Sequence, residues 1–357
     1  MQGNNFLKSK KLKILVRLDA SHHLGLAHAV RTSELLRHVK ASLDIHLCGS
    51  GAALKLFFDK NVTFHDLAAQ VQEMEKTRQT IQLAQEIAAD VILIDQPEQT
   101  CATWQCYYDN IHPVIALDDY GGDIQADLVF NGTILDSYHQ YPLVSEKTSI
   151  HCGGNYALIN PVFRNIAQRK SEGKKILIVI GGGDRAKQWA FALTGDQSPF
   201  QNAKDCHITM IVGGTFPEMT KLQYSCANLG IELHRNIQQK NLARLLSSHS
   251  IALITGGMVV YETLASGCPA IIFPQEKNLI REAQWFAEND SLINLGYDGG
   301  MDMKIVKKKV ALLCKDNKLI QSLSSKGCEL IDGMGMSRTA KKMDQFLSTI
   351  KRNNTST

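Results

Sequence analysis

The sequence predicts two doubly wound α/β domains in tandem, and three observations carry that expectation. Short apolar, β-branched runs alternate with helix-length segments along most of the chain, the pattern of parallel strands covered by helices on both faces. The pattern then restarts. Residues 13–19 open one series with a strand, a glycine-bearing loop and a helix, and 174–184 (KKILIVIGGGD) open a second in the same way. Between them, 165–175 (NIAQRKSEGKK) is polar and charged, the composition of an interdomain linker. The division is expected near residue 168, with an N-terminal domain over 1–168 and a C-terminal domain over 169–357 that ends in a helix.

The elements follow in order. Strands are expected at 13–17, 44–48, 91–94, 114–117, 128–130, 175–180, 208–212, 251–254 and 270–273, each a short apolar run. Between them, 28–39, 71–89, 240–247, 259–266 and 280–289 have helix length and spacing, and 337–351 has helical character before a frayed end. At 357 residues the chain has room for two such domains, each with a real core.

Composition excludes several function classes. With 44% hydrophobic and 21% charged residues the chain is globular rather than disordered. A net charge of +4 over this length gives no argument for nucleic acid. No apolar run reaches the roughly 18–20 residues of a membrane helix. Residues 1–13 are polar and basic, and the apolar stretch after them stops at Arg17-Leu18-Asp19, which reads as a first strand and not a signal peptide. The nine cysteines are scattered, with no C-x-x-C pair, and read as reduced small apolar residues. A cytoplasmic protein that works without zinc or another cofactor is the expectation.

Ligands of doubly wound sheets sit at the carboxyl ends of the strands, at a switch point in strand order. With two such domains the expected site is the cleft between them. The first strand runs into Asp19 and then, through Gly25, into a helix carrying His28 and Arg31. A helix N-terminus there suits an anion. Asp19 is expected to orient His28, and such a pair acts as a general base on water. The plainer alternative has His28 only capping or packing. Asp118-Asp119 closes another strand, and Asp119 is a second candidate carboxylate.

The second series offers Gly181-Gly182-Gly183-Asp184 after a clear strand. It lacks both the P-loop and the full G-x-G-x-x-G fingerprint, so neither ATP nor NAD is expected. Gly256-Gly257-Met258-Val259 follows a further strand and opens a helix, a seat suited to a diphosphate. Glu262, about one turn in, is placed to accept hydrogen bonds from ribose hydroxyls, or simply to favour the helix dipole. Asn278 is expected at the same rim. Trp104, Tyr107 and Tyr108 read as packing. His22, His23 and His28 have no companion ligand group at zinc spacing, so no metal site is expected.

These segments together resemble a known family. RLDASHHLGLAH with Arg31, IALDDY, ADLVFN, NYALINPVF, ILIVIGGGD, IVGG, the Asn236 segment, YETLASGCPA and INLG stand in the order and spacing of the UDP-sugar hydrolases of pseudaminic acid biosynthesis. Those enzymes are relatives of the inverting GT-B glycosyltransferases that build lipid II. The resemblance runs from about residue 13 to 338 and implies a GT-B fold, two Rossmann-like domains facing across a cleft, with UDP held mainly by the C-terminal domain. It implies hydrolysis of UDP-2,4-diacetamido-2,4,6-trideoxy-β-L-altropyranose to UDP and free sugar. The family's catalytic histidine falls on His28, its preceding acidic residue on Asp19, its ribose-binding glutamate on Glu262 and the asparagine of its Asn-Gln motif on Asn278.

The chain also departs from the family. Gly-x-Gly-His reads Gly25-Leu26-Ala27-His28, and Asp-His-Tyr-Gly reads Asp95-Gln96-Pro97-Glu98. Gly-Ser-Thr-Thr reads Gly257-Met258-Val259-Val260, and Asn-Gln reads Asn278-Leu279. Losing one hydroxyl donor to a charged phosphate costs about 1.5–3 kcal/mol, so phosphate binding here falls to backbone N–H groups and the helix dipole. Hydrolysis is the leading reading. Sugar transfer to an acceptor by the same architecture, and nucleotide-sugar binding without catalysis, are the alternatives.

Overall fold

The first strand, β1 (Leu12–Leu18, LKILVRL), is buried along nearly its whole length, as a strand covered on both faces must be. The computed structural model of the chain describes residues 11–19, 27–96, 99–111, 113–164, 174–182, 184–201, 203, 205–275, 277–296 and 302–355. After β1 come α1 (Ala27–His38), β2 (Leu43–Gly49), β3 (Thr63–Asp66), α2 (Glu73–Glu86), β4 (Val91–Asp95), α3 (Cys101–Asn110), β5 (Val114–Asp118), β6 (Leu128–Asn131) and β7 (Ser149–Cys152). These strands form one parallel sheet in the order β3-β2-β1-β4-β5-β6-β7.

The second sheet is built from β8 (Lys174–Ile180), β9 (Cys206–Val212), β10 (Glu232–Arg235), β11 (Ile251–Ile254), β12 (Ala270–Ile272) and β13 (Ile293–Asn294). Its order is β10-β9-β8-β11-β12-β13, again all parallel. Between and after its strands lie α4 (Asp184–Thr194), α5 (Met219–Asn228), α6 (Gln239–Ser248), α7 (Met258–Ala265), α8 (Ile280–Glu288), α9 (Met303–Leu313) and α10 (Asn317–Leu330). The chain closes with α11 (Gly335–Thr355). Strand order reverses between β1 and β4 in the first sheet and between β8 and β11 in the second, so each has a switch point. All nine strands expected from the apolar runs are present. Among the described residues no helix is long and apolar enough to cross a membrane.

Alternation along the strands divides the first core. Ile14, Val16 and Leu18 of β1 pack with Leu93 of β4 and Leu35 of α1 on one face. Leu15 packs with Ile92 and Ile94 of β4 and with Ile81 of α2 on the other. That parity decides which helix each strand-end side chain meets.

The division of the chain differs from the expected one. Its two compact units are Met1–Leu158 with Met336–Thr357, and Ile159–Gly335. The break lies before residue 168, and α11 belongs with the first unit. Met336, Ala340, Met343, Leu347 and Ile350 recur at helical spacing along α11 and join the β1 core. The polar linker expected at 165–175 lies almost wholly outside the described residues; its last two residues open β8.

Leu347 is fully buried in that core. Leu347→Ala is expected to cost about 2–5 kcal/mol. With Trp189 and Trp285 replaced by Phe, Trp104 fluorescence in urea reports the first unit alone. A lowered midpoint in that signal supports the assignment of α11, and an unchanged one refutes it.

Candidate functional site

In the first unit, chemistry collects where β1 and β4 part. Asp95 ends β4, in register with Leu18 of β1, and is 0% exposed. It shares a face with Leu93, the face on which α1 lies. From α1, Arg31 donates Nε to Asp95 Oδ2 at 3.1 Å and Nη2 to Oδ1 at 2.5 Å. Thr32 Oγ1 donates to Oδ2, and His28 Nδ1 lies 2.7 Å from Oδ1. Burial would raise the Asp95 carboxyl, but the charge of Arg31 and the hydrogen bonds from His28 and Arg31 outweigh it and hold the group well below the usual carboxylate range. An ionised carboxylate only accepts, so the His28 Nδ1 hydrogen donates to it and Nε2 is left as the basic nitrogen. Arg31 Nη2 is also 3.0 Å from His28 Nδ1, but Oδ1 is its nearer, charged acceptor. The His28 side chain keeps 15% of its surface exposed.

The expected Asp19–His28 pair does not form. Asp19 sits on the other face of β1, two residues beyond Arg17, which donates to it at 2.7 and 3.0 Å. Its remaining partners are the backbone N–H of Ser50 (2.6 Å), Gln96 Nε2 (2.8 Å) and Lys76 Nζ (3.4 Å). Burial is again outweighed, here by Arg17, and the Asp19 carboxyl lies far below its ordinary range. Asp19 therefore fixes β1 against α2, and Asp95 orients His28. The two carboxylates are tied through Gln96, the residue after Asp95.

Arg31 and Asp119 are found together: Nη1 reaches the two Asp119 oxygens at 2.6 and 2.9 Å. The guanidinium thus lies between Asp95 and Asp119, and both carboxylates raise it well above its ordinary value. Asp118 has a different task. It accepts from Tyr141 Oη and from the backbone N–H groups of Tyr120 and Gly121, which closes the turn after β5. Gly25, His22 and His23 lie outside the described residues.

In the second unit, Gly181-Gly182 follows β8 and Thr255-Gly256-Gly257 follows β11, on the two sides of the switch point. A Cβ on Gly182 would meet Thr215 Oγ1 at 1.9 Å, so any larger residue there requires the Thr215 side chain to move. Gly256 and Gly257 have φ of 112° and 74°, and Gly257 is the N-cap of α7 without a side-chain cap. Val260 N–H donates to the Gly257 carbonyl at 3.0 Å, and the N–H groups of Met258 and Val259 have no acceptor among the described residues. Met258 and Val259, half-buried, open this helix, and the turn holding Asn278 (Lys277–Leu279) brings Leu279 against Gly256. Asp184 opens α4, and Gly183 lies outside the described residues.

Glu262 is 8% exposed, and its carboxylate has no hydrogen bond or ion pair among the described residues. Burial pushes its carboxyl up to about 7. No group of three or more His, Cys, Asp and Glu among the described residues could hold a metal ion.

Known proteins share this architecture. Over 93% of this chain and 99% of the other, the structure superposes on MurG of Acinetobacter baumannii with a TM-score of 0.66 at 12% identity. It superposes on S. aureus MnaA, solved with UDP, over 94% and 97% with a TM-score of 0.65 at 14% identity. The chain has a GT-B fold. In sequence it is 25% identical over 223 residues to the spore coat polysaccharide biosynthesis protein SpsG of Bacillus subtilis (strain 168), covering 61% of this chain and 65% of that protein. It is 22% identical over 290 residues to the UDP-2,4-diacetamido-2,4,6-trideoxy-β-L-altropyranose hydrolase of Campylobacter jejuni, covering 80% of this chain and all of that enzyme. No family model matches the chain.

Sequence reading named Asp95 only as the first residue of the altered Asp-His-Tyr-Gly segment and gave it no role. Its signal was present: an acidic residue directly after the apolar run 91–94, on the strand beside β1.

The buried Glu262 carboxyl gives a pH test. Its folded pKa, about 7, lies above the usual 4.5, so the folded state binds the extra proton between those values. Stability therefore falls as pH rises through that window. Glu262→Gln removes the penalty and is expected to stabilise the protein at pH 8, by up to about 3 kcal/mol, with little change at pH 4.5. Melting curves at the two pH values check this, and equal shifts at both would contradict a buried titrating carboxyl.

Proposed function

We propose that the protein is an enzyme that cleaves the anomeric bond of a UDP-linked 2,4-diacetamido-2,4,6-trideoxy sugar, with water as the nucleophile. The observation that carries the reading is the Asp95–His28 pair at the carboxyl edge of the first sheet, with Nδ1 held at 2.7 Å and Nε2 without a partner among the described residues. Further support comes from the named activity of the Campylobacter relative and from UDP in the MnaA structure.

In this mechanism His28 Nε2 takes a proton from water as its oxygen attacks the anomeric carbon. The bond from that carbon to the phosphate oxygen breaks, and its electron pair leaves with UDP. Asp95 keeps the imidazole in one tautomer and stabilises the imidazolium that forms. Arg31 and Thr32 hold Asp95 in place. On the second unit, the α7 N-terminus after Gly256-Gly257 and the loop at 181–184 receive the diphosphate, and Glu262 accepts from the ribose hydroxyls. Because Met258, Val259 and Val260 carry no hydroxyl, backbone N–H groups do the phosphate binding.

The test is UDP release from the diacetamido-trideoxy UDP-sugar with no acceptor present. The wild type is expected to release UDP. His28→Ala and Asp95→Asn are each expected to lower the rate roughly 10²–10⁴-fold while UDP binding persists in His28→Ala. Undiminished release in His28→Ala overturns the general-base role. Wild-type protein that binds UDP but releases none overturns hydrolysis and points to transfer or to binding alone.

A further inference from the structure

Helix α9 (MKIVKKKVALL) has one face too many. Met303, Val306, Val310 and Leu313 are buried in the core of the second unit, which accounts for the face that holds the helix in place. On the opposite side, Ile305 and Leu312 stand 48% and 43% exposed. They are seven residues apart and so lie on one line along the helix. Lys308 and Lys315 flank that line on one side and Lys309 on the other, with Lys304 and Lys307 beyond. Residues 303–315 contain five lysines and no acidic residue. The chain's net charge is +4, so without these five it would be negative. The neighbouring acids, Asp302 and Asp316, are turned to the backbone and cap α9 and α10. A shallow groove of about 800 Å³ runs along this face, lined by Ile305, Leu312 and lysines 308, 309, 315 and 318 among others.

We infer that this face of α9 is a docking surface for an anionic lipid bilayer. The charge complementarity is one-sided and dense, and the apolar line lies at the centre of the lysines, where it can enter the acyl boundary while the ammonium groups stay among headgroups. An acidic protein segment would be met by charge alone and would leave Ile305 and Leu312 without a function. The bilayer uses both features. The inference does not depend on the reaction proposed above, since none of these residues belongs to that site.

Co-sedimentation of the full chain with vesicles tests it. Binding is expected to phosphatidylcholine vesicles containing about 30 mol% phosphatidylglycerol, to weaken with salt, and to be absent with phosphatidylcholine alone. Lys308→Gln/Lys309→Gln/Lys315→Gln is expected to lose on the order of 100-fold in partitioning, near fivefold for each lysine. These side chains lie on the outer face of α9 and just past its end, and an unchanged urea midpoint shows that the variant is folded. Ile305→Ser/Leu312→Ser, with charge unchanged, is expected to weaken binding further at raised salt. No binding to the anionic vesicles, or equal binding by the triple variant, overturns the proposal. Binding of poly-glutamate without vesicle binding overturns it in favour of an acidic protein partner.

Discussion

The carboxylate of Asp95 is the constraint on which the first unit's site depends. An ionised group taken from water into a protein interior costs several kcal/mol unless charge and hydrogen bonds offset it. Here the offset comes from one helix: Arg31 Nε and Nη2, Thr32 Oγ1 and His28 Nδ1 all arrive from the first two turns of α1. The spacing is what makes that possible. Positions 28, 31 and 32 are i, i+3 and i+4, neighbours on one helix face. A single charge on β4 thus fixes the rotation of α1 about its axis, and with it the direction of the imidazole. Asp119 takes up the rest of the Arg31 charge from β5. Three elements meet at one guanidinium, so the site is held by electrostatics where the interior of the sheet is held by packing.

Much of the fold was legible because interior parallel strands are written as continuous apolar runs. Ile14-Leu15-Val16, Val91 to Ile94 and Ile251 to Ile254 have no polar residue to confuse them. The four strands without such a signal are β3, β7, β10 and β13, and they are the edges of the two sheets. Thr63–Asp66 and Glu232–Arg235 each have exposed ends and half-buried centres. An edge strand is short, and polar residues on it discourage pairing with another chain, so its sequence resembles a loop. The placement of α11 was illegible for another reason. Its apolar stripe shows that it packs, but a stripe on one helix does not name the sheet that receives it.

At the site, a strand–loop–helix pattern drew attention to His28, and a strand running into Gly-Gly and then a helix drew attention to 256 and 257. The partner of His28 was not found by proximity in sequence. Asp19 is nearer along the chain, yet period-2 alternation turns it toward α2 with Arg17, whereas Asp95 falls on the α1 face with Leu93. Strand parity, read together with strand order, is the argument that selects between the two. Strand order itself is a long-range property, and no local pattern states it.

The second unit sets the opposite electrostatic problem. Where Asp95 is surrounded by donors, Glu262 is buried with none from the described residues, and burial alone moves its carboxyl to about 7. Such a group destabilises the folded chain whenever it ionises. It lies one turn into α7, on the same helix as the Met258 and Val259 N–H groups, which follow two glycines and have no acceptor among the described residues. A ligand that carries both hydroxyls and a negative group would satisfy the two together, as neither water alone nor an apolar molecule does. Residues 258–260 carry no side-chain hydroxyl, so the donors this turn offers are backbone N–H groups. On the function proposed above, these two features of one helix are met together by one ligand, and a nucleoside diphosphate has the matching chemistry.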